Sequence, residues 1–424
     1  MLFLIKIIYS IKKQKLIYFV SFLCFLFFSL FLIYRISYSV VLAACVLVTI
    51  FTFRKWWGTI TSVEVKKLAI YFLLIAFVWS HSFDTPLSWN NEGDYLARYG
   101  LGALCALGIC SIGVDKKFLY IGVAIGAIAS GFYALIQFPV LGRAEGYTNA
   151  IRFGNIALLM SVFLIFFVIA IKKINIYSIS LLIAAVMGLI ASFLSLSRGG
   201  WLFLAFLPFI AVLMFDGYKK RLQALGVMLI LAFVSLVGLM QLPFFESRVQ
   251  RAEQEVQGYF TDKEQYVATS VGARLEQWQL SWKLGLEKPW LGWGDKGVSE
   301  GRKLMVERGE AHPTALNFPH THHEFLEMWA TRGFVGVVFL LFIYIVPFVL
   351  FFPTKNKMAV FPEENKESAR AIYIAGICIP LAYFVFGLTD VFFNLSIGHV
   401  FMIFSMIFFM ATLENLKNDK DKRY

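Results

Sequence analysis

FVGVVFLLFIYIVPFVLFF, residues 334–352, contains no charged side chain. A helix needs about 20 apolar residues to cross the hydrocarbon core of a bilayer, so this stretch reads as a membrane span. Directly before it stands NFPHTHHEFLEMWATRG, residues 317–333, which is crowded with titratable groups. The abrupt change between the two stretches decides the fold. Apolar helices sit in lipid, and a polar segment at one end of them carries the chemistry.

Working outward, similar apolar stretches occupy 16–34, 37–53, 67–83, 95–114, 118–138, 155–171, 178–197, 201–215, 222–245, 371–393 and 395–413. The sequence therefore predicts an all-α polytopic membrane protein with about twelve transmembrane helices. Composition agrees: 59% of residues are hydrophobic and 16% charged, against roughly 45–50% and about 25% in soluble domains. Disorder is excluded by the same numbers, because it requires low hydrophobicity. The first span lacks a small-residue cleavage site and reads as a retained helix rather than a signal peptide. Five cysteines (Cys24, Cys45, Cys105, Cys110 and Cys378) all fall inside apolar stretches, as packing residues do, and no disulfide framework is expected.

The net charge of +12 invites a nucleic-acid reading until the charges are placed. With the N-terminus in the cytoplasm, the basic clusters Lys6–Lys15, Arg54–Lys67, Lys116/Lys117, Lys172/Lys173, Lys219–Arg221, Lys355–Arg370 and Lys417–Arg423 all fall on the cytoplasmic side. The short outer loops hold only Arg35, Arg98, Arg143, Arg152 and Arg198. That alternation is the positive-inside bias. The charge is topogenic and attracts anionic lipid; no nucleic-acid partner is expected, and both termini are placed in the cytoplasm. The chain divides into spans over 1–245, a long outward-facing helical segment over 246–333, and the last spans with a cytoplasmic tail over 334–424.

Ionisable groups are scarce within the spans, with Asp390 and His399 the nearest cases, so a transport pathway at the bilayer midplane has little support. The polar chemistry concentrates in 246–333. Within it, TSVGARLEQWQLSWKLGLE (269–287) places Val271, Leu275, Trp278, Trp282 and Leu286 on one helical stripe, with Arg274 beside it. Such a helix lying on the membrane would hold Arg274 near headgroup level, although a solvated surface helix has the same pattern. Further on, Thr321-His322-His323-Glu324 matches a capping box. Thr321 becomes the N-cap, His322 and His323 enter the first turn, and Glu324 reaches back to Thr321. The helix dipole there disfavours imidazolium and keeps a histidine neutral, as a general base requires. His320, His322 and Glu324 include zinc-ligand types. However, the cap occupies Glu324, no H-E-x-x-H spacing is present and no cysteine stands nearby, so no metal and no cofactor is expected. Glu92 and Asp94, in the second outer loop, could accept a divalent ion but read more simply as a solvated loop. Ser197-Arg198-Gly199-Gly200 joins two spans with almost no loop and holds Arg198 at the outer membrane surface, where it either snorkels or clamps a phosphate.

SLSRGGW (195–201), SVGARLEQWQLSWKLGLEKPWLGWG (270–294) and HTHHEFLEMWATRGFVG (320–336) resemble the bacterial O-antigen ligase family, within the superfamily it shares with O-antigen polymerases. The resemblance implies a GT-C-like membrane glycosyltransferase of the inner membrane with its active site on the periplasmic face. The donor would be O-antigen on undecaprenyl diphosphate and the acceptor a sugar hydroxyl of lipid A–core, with metal-independent inversion at the anomeric carbon. By the same resemblance His322 is the base, and Arg198 and Arg274, with Arg143, hold the donor diphosphate; Arg152, also on the outer side, joins them because guanidinium pairs well with phosphate oxygens. His320, His323, Glu324 and, through the stretch GLTD, Asp390 are accessory. The family motif follows its second histidine with Asn where this chain has His323, so both His322 and His323 stand as candidates for the base. Alternatives are an O-antigen polymerase, a protein O-oligosaccharyltransferase, and a non-catalytic polysaccharide flippase.

Overall fold

The computed structural model describes residues 13–59, 62–80, 92–227, 229, 243–394 and 396–418. Among these every regular element is helical. Of the longer helices, seven come first: α1 (Lys13–Leu30), α2 (Ser37–Phe51), α3 (Val63–Ser80), α4 (Glu92–Ile112), α5 (Lys116–Leu141), α6 (Ala150–Ile171) and α7 (Ile176–Leu194). A broken helical run then covers Arg198–Met214. Three helices of polar composition follow, α8 (Pro243–Thr261), α9 (Ser270–Glu287) and α10 (Gly294–Glu307), and three apolar ones end the chain, α11 (Glu324–Phe351), α12 (Glu363–Phe386) and α13 (Ser396–Lys417).

Eight of the described helices are long and apolar enough to cross a membrane, and the protein is an all-α polytopic membrane protein. The remaining expected spans differ for visible reasons. The 37–53 stretch forms a helix of 15 residues. The 201–215 stretch alternates short α and 3-10 turns, with Pro208 interrupting the run. The helix over the expected 67–83 span carries Glu64, Lys66 and Lys67 in its N-terminal turns. Most of the expected 222–245 span lies outside the described residues, although 218–227 is helical. Two boundaries move. α4 begins at Glu92, so Glu92 and Asp94 stand in its first turn rather than in a loop. The 371–393 span stops at Phe386, because the backbone turns there: Thr389 N and Asp390 N both donate to Phe386 O, at 3.1 and 3.0 Å.

Local sequence explains most helix starts. Asp115 accepts from Lys117 N (2.9 Å) to cap α5, Asn149 caps α6, Asn175 and Ser178 form a full capping box at α7, and Thr269 caps α9. Each cap satisfies one of the orphan N–H groups of a first turn. The centre of the bundle is aromatic. Phe27 and Phe28 of α1, with Phe31 just after it, interlock with Phe401, Phe404 and Phe408 of α13. α12 packs between α6 and α11 and is buried along nearly its whole length.

α11 is two helices in one run. Gly333 adopts φ 59°, ψ −152°, and separates a polar head from the apolar stretch that follows. The kink is clasped by the turn after α9: Trp293 N donates to Ala330 O (2.9 Å), Phe334 N to Pro289 O (2.8 Å) and Val335 N to Trp290 O (3.3 Å). Gly292, at φ 68°, faces the Thr331 backbone so closely that a Cβ there would overlap it. Both positions need the left-handed conformation and the bare backbone that glycine supplies. The clasp ties α9 and α10 rigidly to the top of α11.

Candidate active site

The segment before α11 does not form the expected capping box. His322 has φ 52°, a left-handed conformation uncommon for a residue other than glycine, and this delays the helix. His323 becomes the N-cap, its Nδ1 accepting from Leu326 N at 3.4 Å. Burial lowers the His323 pKa, partly opposed by its backbone hydrogen bond, as suits a ring nitrogen that must accept. Thr321 is absorbed by its own loop, its Oγ1 donating to His323 O (2.9 Å). Its N–H meets Glu327 Oε2 (2.9 Å), not Glu324. The reach-back role falls to Glu327 because the helix starts at Glu324, two residues later than the box requires. Arg302 of α10 completes this corner, donating to Phe318 O (3.1 Å) and lying 3.4 Å from Glu327 Oε2. Trp278 of α9 donates through Nε1 to Thr321 O (3.1 Å) and meets the His323 ring edge to face.

His322 therefore precedes the helix instead of entering its first turn. Its Nδ1 lies 3.4 Å from Asp390 Oδ1. Asp390 is only 2% exposed, and its other oxygen is 3.6 Å from Arg152 Nη2. Arg152 is itself 3% exposed and donates to Val391 O at 3.1 Å. Burial alone would raise the Asp390 pKa; the His322 hydrogen bond and the Arg152 guanidinium outweigh it and hold the carboxyl below its ordinary range. An ionised carboxylate can only accept. A hydrogen bond from His322 Nδ1 thus requires the proton on Nδ1, and in the neutral ring Nε2 then carries the lone pair.

Glu324 holds the Asp390 loop in register. It is 2% exposed, its Oε2 accepts from Phe393 N (3.2 Å), and its own N–H donates to Gly387 O (2.7 Å). The chain between Gly387 and Phe393 is strapped at both ends to the residue that begins α11.

The four candidate arginines stand in different situations. Arg274 of α9 is half-buried; burial lowers its pKa and the Asp390 charge opposes that, so the two charges lie within electrostatic reach of each other. Arg198 is exposed and opens the helical run after the left-handed Leu196 (φ 56°). The next residue, Gly199, abuts Thr389 beside Asp390. Arg143 lies apart, 3.8 Å from Glu145 at the surface. Arg152, expected as a ligand of the donor diphosphate, is buried with its guanidinium turned toward Asp390. His320 is half-buried with its ring 4.4 Å from that of His322, and its Nδ1 has no hydrogen-bond partner among the described residues. Burial first, then the neighbouring His322, pushes its pKa down to about 4.

The arrangement can accept a proton at His322 Nε2 and attract an anion through Arg198 and Arg274. Ligand atoms of His320, His322 and Asp390 also lie within 4.8 Å of one another, a set whose types suit a divalent ion. A cation there would stand against Arg152 and in the field of Arg274. The Arg302–Glu327 corner and the inward turn of Arg152 escaped sequence reasoning. Thr321 and Glu327 form no motif, and a loop arginine reads as exposed until its helix is packed.

A family model described as O-antigen ligase matches residues 183–341. That stretch contains Arg198, Arg274, His320, His322, His323 and Glu324; Arg143, Arg152 and Asp390 lie outside it. An uncharacterized protein of Haemophilus influenzae is 26% identical over 412 residues, covering 95% of this chain and 100% of that one.

Proposed function

From the match of residues 183–341 to the O-antigen ligase family model, we propose that this protein transfers O-antigen polysaccharide from undecaprenyl diphosphate to a sugar hydroxyl of lipid A–core. Polysaccharide and lipid-linked substrates within a membrane follow from the family; the specific donor and acceptor belong to this proposal. The observation that carries it is the His322–Asp390 pair, with the Arg274 charge within electrostatic reach of the same carboxylate. It puts a proton acceptor and anion-attracting charge in one place.

In this mechanism the acceptor hydroxyl attacks the anomeric carbon and its proton passes to His322 Nε2. The bond from that carbon to the diphosphate oxygen breaks, and undecaprenyl diphosphate departs with the electron pair. Attack opposite the leaving group inverts the centre. Arg198 and Arg274 stabilise the charge that grows on the leaving oxygen, a contribution that is large in a site with little water. Asp390, held by Arg152 and Glu324, keeps the His322 tautomer and offsets the imidazolium that forms. Both termini lie in the cytoplasm of a bacterial inner membrane, and the site is periplasmic. The boundaries 1–245, 246–333 and 334–424 are part of the same proposal, with the middle segment carrying the motif.

The decisive experiment is transfer by the purified protein between defined lipid-linked donor and lipid A–core acceptor, with and without chelator. Transfer unaffected by chelator supports the metal-free mechanism. Loss on chelation, restored by a divalent ion, would move the chemistry onto the His320, His322 and Asp390 set. An O-antigen polymerase would use a second undecaprenyl-linked unit as acceptor. Deleting the gene separates the two, since loss of a ligase leaves bare core and loss of a polymerase leaves core bearing one repeat.

A further inference from the structure

Below the Gly333 kink, Phe334, Val338, Leu341, Ile345 and Val349 of α11 are all exposed. Their spacing of three and four residues makes one continuous stripe, and on a membrane-crossing helix an exposed apolar stripe faces lipid. At its upper end the stripe does not stop. The Trp290 ring meets Phe334 edge to face at 6.0 Å, and the backbone clasp described above locks Trp290 at the level of Phe334 and Val335. Trp290 is 70% exposed, Leu286 56%, Trp282 54% and Leu291 43%.

These four residues come from the C-terminal half of the α9 stripe and the turn after it. The N-terminal half of that stripe is used differently, since Trp278 packs on the Thr321–His323 loop. The N-terminal half of the α9 stripe thus packs inward, while the C-terminal half keeps most of its surface exposed. Trp282 is held rigidly by stacking on Trp329, whose Nε1 donates to Trp282 O at 3.2 Å. Lys288 stands over the Trp293 ring, 4.1 Å from its centroid, with its ammonium beside the patch. Tryptophan and lysine at the edge of an apolar surface are the residues of a membrane–water interface.

We propose that Trp282, Leu286, Trp290 and Leu291 form a foot that seats the α9–α10 segment in the headgroup region of the bilayer. The partner is lipid, because the patch continues a lipid-facing stripe without a break. The foot sets the height of α9 above the membrane, and Arg274 lies about 12 Å along the helix from Trp282 at 1.5 Å per residue. This inference rests on the membrane-spanning fold and is independent of the transfer chemistry.

The test uses the full chain in vesicles of phosphatidylethanolamine and phosphatidylglycerol carrying lipids spin-labelled near the headgroup. The native cysteines are all buried, so single surface cysteines can be labelled with an environment-sensitive fluorophore. Leu286→Cys, Trp290→Cys and Leu291→Cys probe the foot; Val338→Cys is the lipid reference and Lys303→Cys the water reference. Three foot positions keep the test valid should Trp290→Cys disturb the clasp. The expected result is blue-shifted emission and quenching by the spin-labelled lipid at the foot, as at Val338, with little quenching by aqueous iodide. Emission and iodide quenching like those of Lys303 would overturn the proposal. So would protection from both quenchers that disappears on dilution of protein in lipid, which would assign the patch to a second copy of the chain.

Discussion

At the residue scale the site is a sequence of contacts, each with its own expected signature. His322→Ala removes the proton acceptor and should lower transfer by about 10²- to 10⁴-fold, the usual worth of general base catalysis, while donor binding persists. His323→Ala removes an N-cap instead, costing about 1 kcal/mol of stability and far less activity. An active His322→Ala beside an inactive His323→Ala would move the base by one residue. Arg198→Ala and Arg274→Ala should each lose about 2–4 kcal/mol of transition-state stabilisation, by analogy with removal of an oxyanion donor, or roughly 30- to 1,000-fold in rate. Lysine should rescue either poorly, because it lacks the planar fork. Near-normal long-chain lipopolysaccharide from either alanine variant would remove the clamp. Arg152→Ala should act through Asp390, so a buried carboxylate that loses its guanidinium shifts up in pKa and the acid side of the pH–rate profile moves to higher pH. A fall in donor affinity with an unmoved profile would return Arg152 to the diphosphate. Much of this site was legible in the sequence: Arg198, Arg274 and the H-x-H pair stand in motifs. The His322–Asp390 contact was not, since it joins residues 68 apart through a left-handed residue that no local pattern announces.

At the scale of elements, boundaries follow hydropathy, and kinks and clasps follow backbone contacts that hydropathy does not carry. The change from polar to apolar at Gly333 marked where the spans resume, but not that one helical run bends there against the turn of another. Gly333→Ala would force a Cβ into a left-handed residue packed on Pro289 and Trp290. Strain of that kind costs on the order of 1–3 kcal/mol, read as a lower unfolding temperature of the purified protein. The polar helices have a second anchor in Glu276 of α9, which is 2% exposed. It accepts from His312 N at 2.6 Å and pairs with Lys263 Nζ at 2.6 Å. Burial would raise its pKa, but the His312 N–H, Lys263 and Tyr259 together lower it. A carboxyl depressed in the folded state adds stability above its unfolded pKa and loses it as pH falls through the folded one. Glu276→Gln should therefore destabilise the segment by about 1.5–3 kcal/mol at neutral pH, the worth of hydrogen bonds to a charged group. The deficit should shrink toward acid, and a deficit independent of pH would mean that packing, not charge, is what Glu276 contributes.

For the whole molecule, the alternation of basic and arginine-only loops sets a direction, while packing alone is symmetric about the membrane. Helix packing puts Lys117 at the N-terminus of α5 and Arg143 just beyond the C-terminus of the same helix. If the N-terminus is cytoplasmic, Lys117 faces the cytoplasm with Lys173, and Arg143 faces out with Arg198 and the α8–α10 helices. The number of spans was harder to read than their direction, because a stretch such as 201–215 is apolar enough for lipid yet too short and too broken to cross as one regular helix. Orientation can be measured with the same buried-cysteine background. In intact spheroplasts a membrane-impermeant maleimide should label Lys303→Cys on α10 at once. Lys173→Cys, exposed between α6 and α7, should be labelled only after the membrane is opened. The reverse pattern would put His322 and its arginines in the cytoplasm, away from any lipid A–core acceptor on the periplasmic leaflet. It would thereby sink the ligase mechanism even if every contact within the site stood.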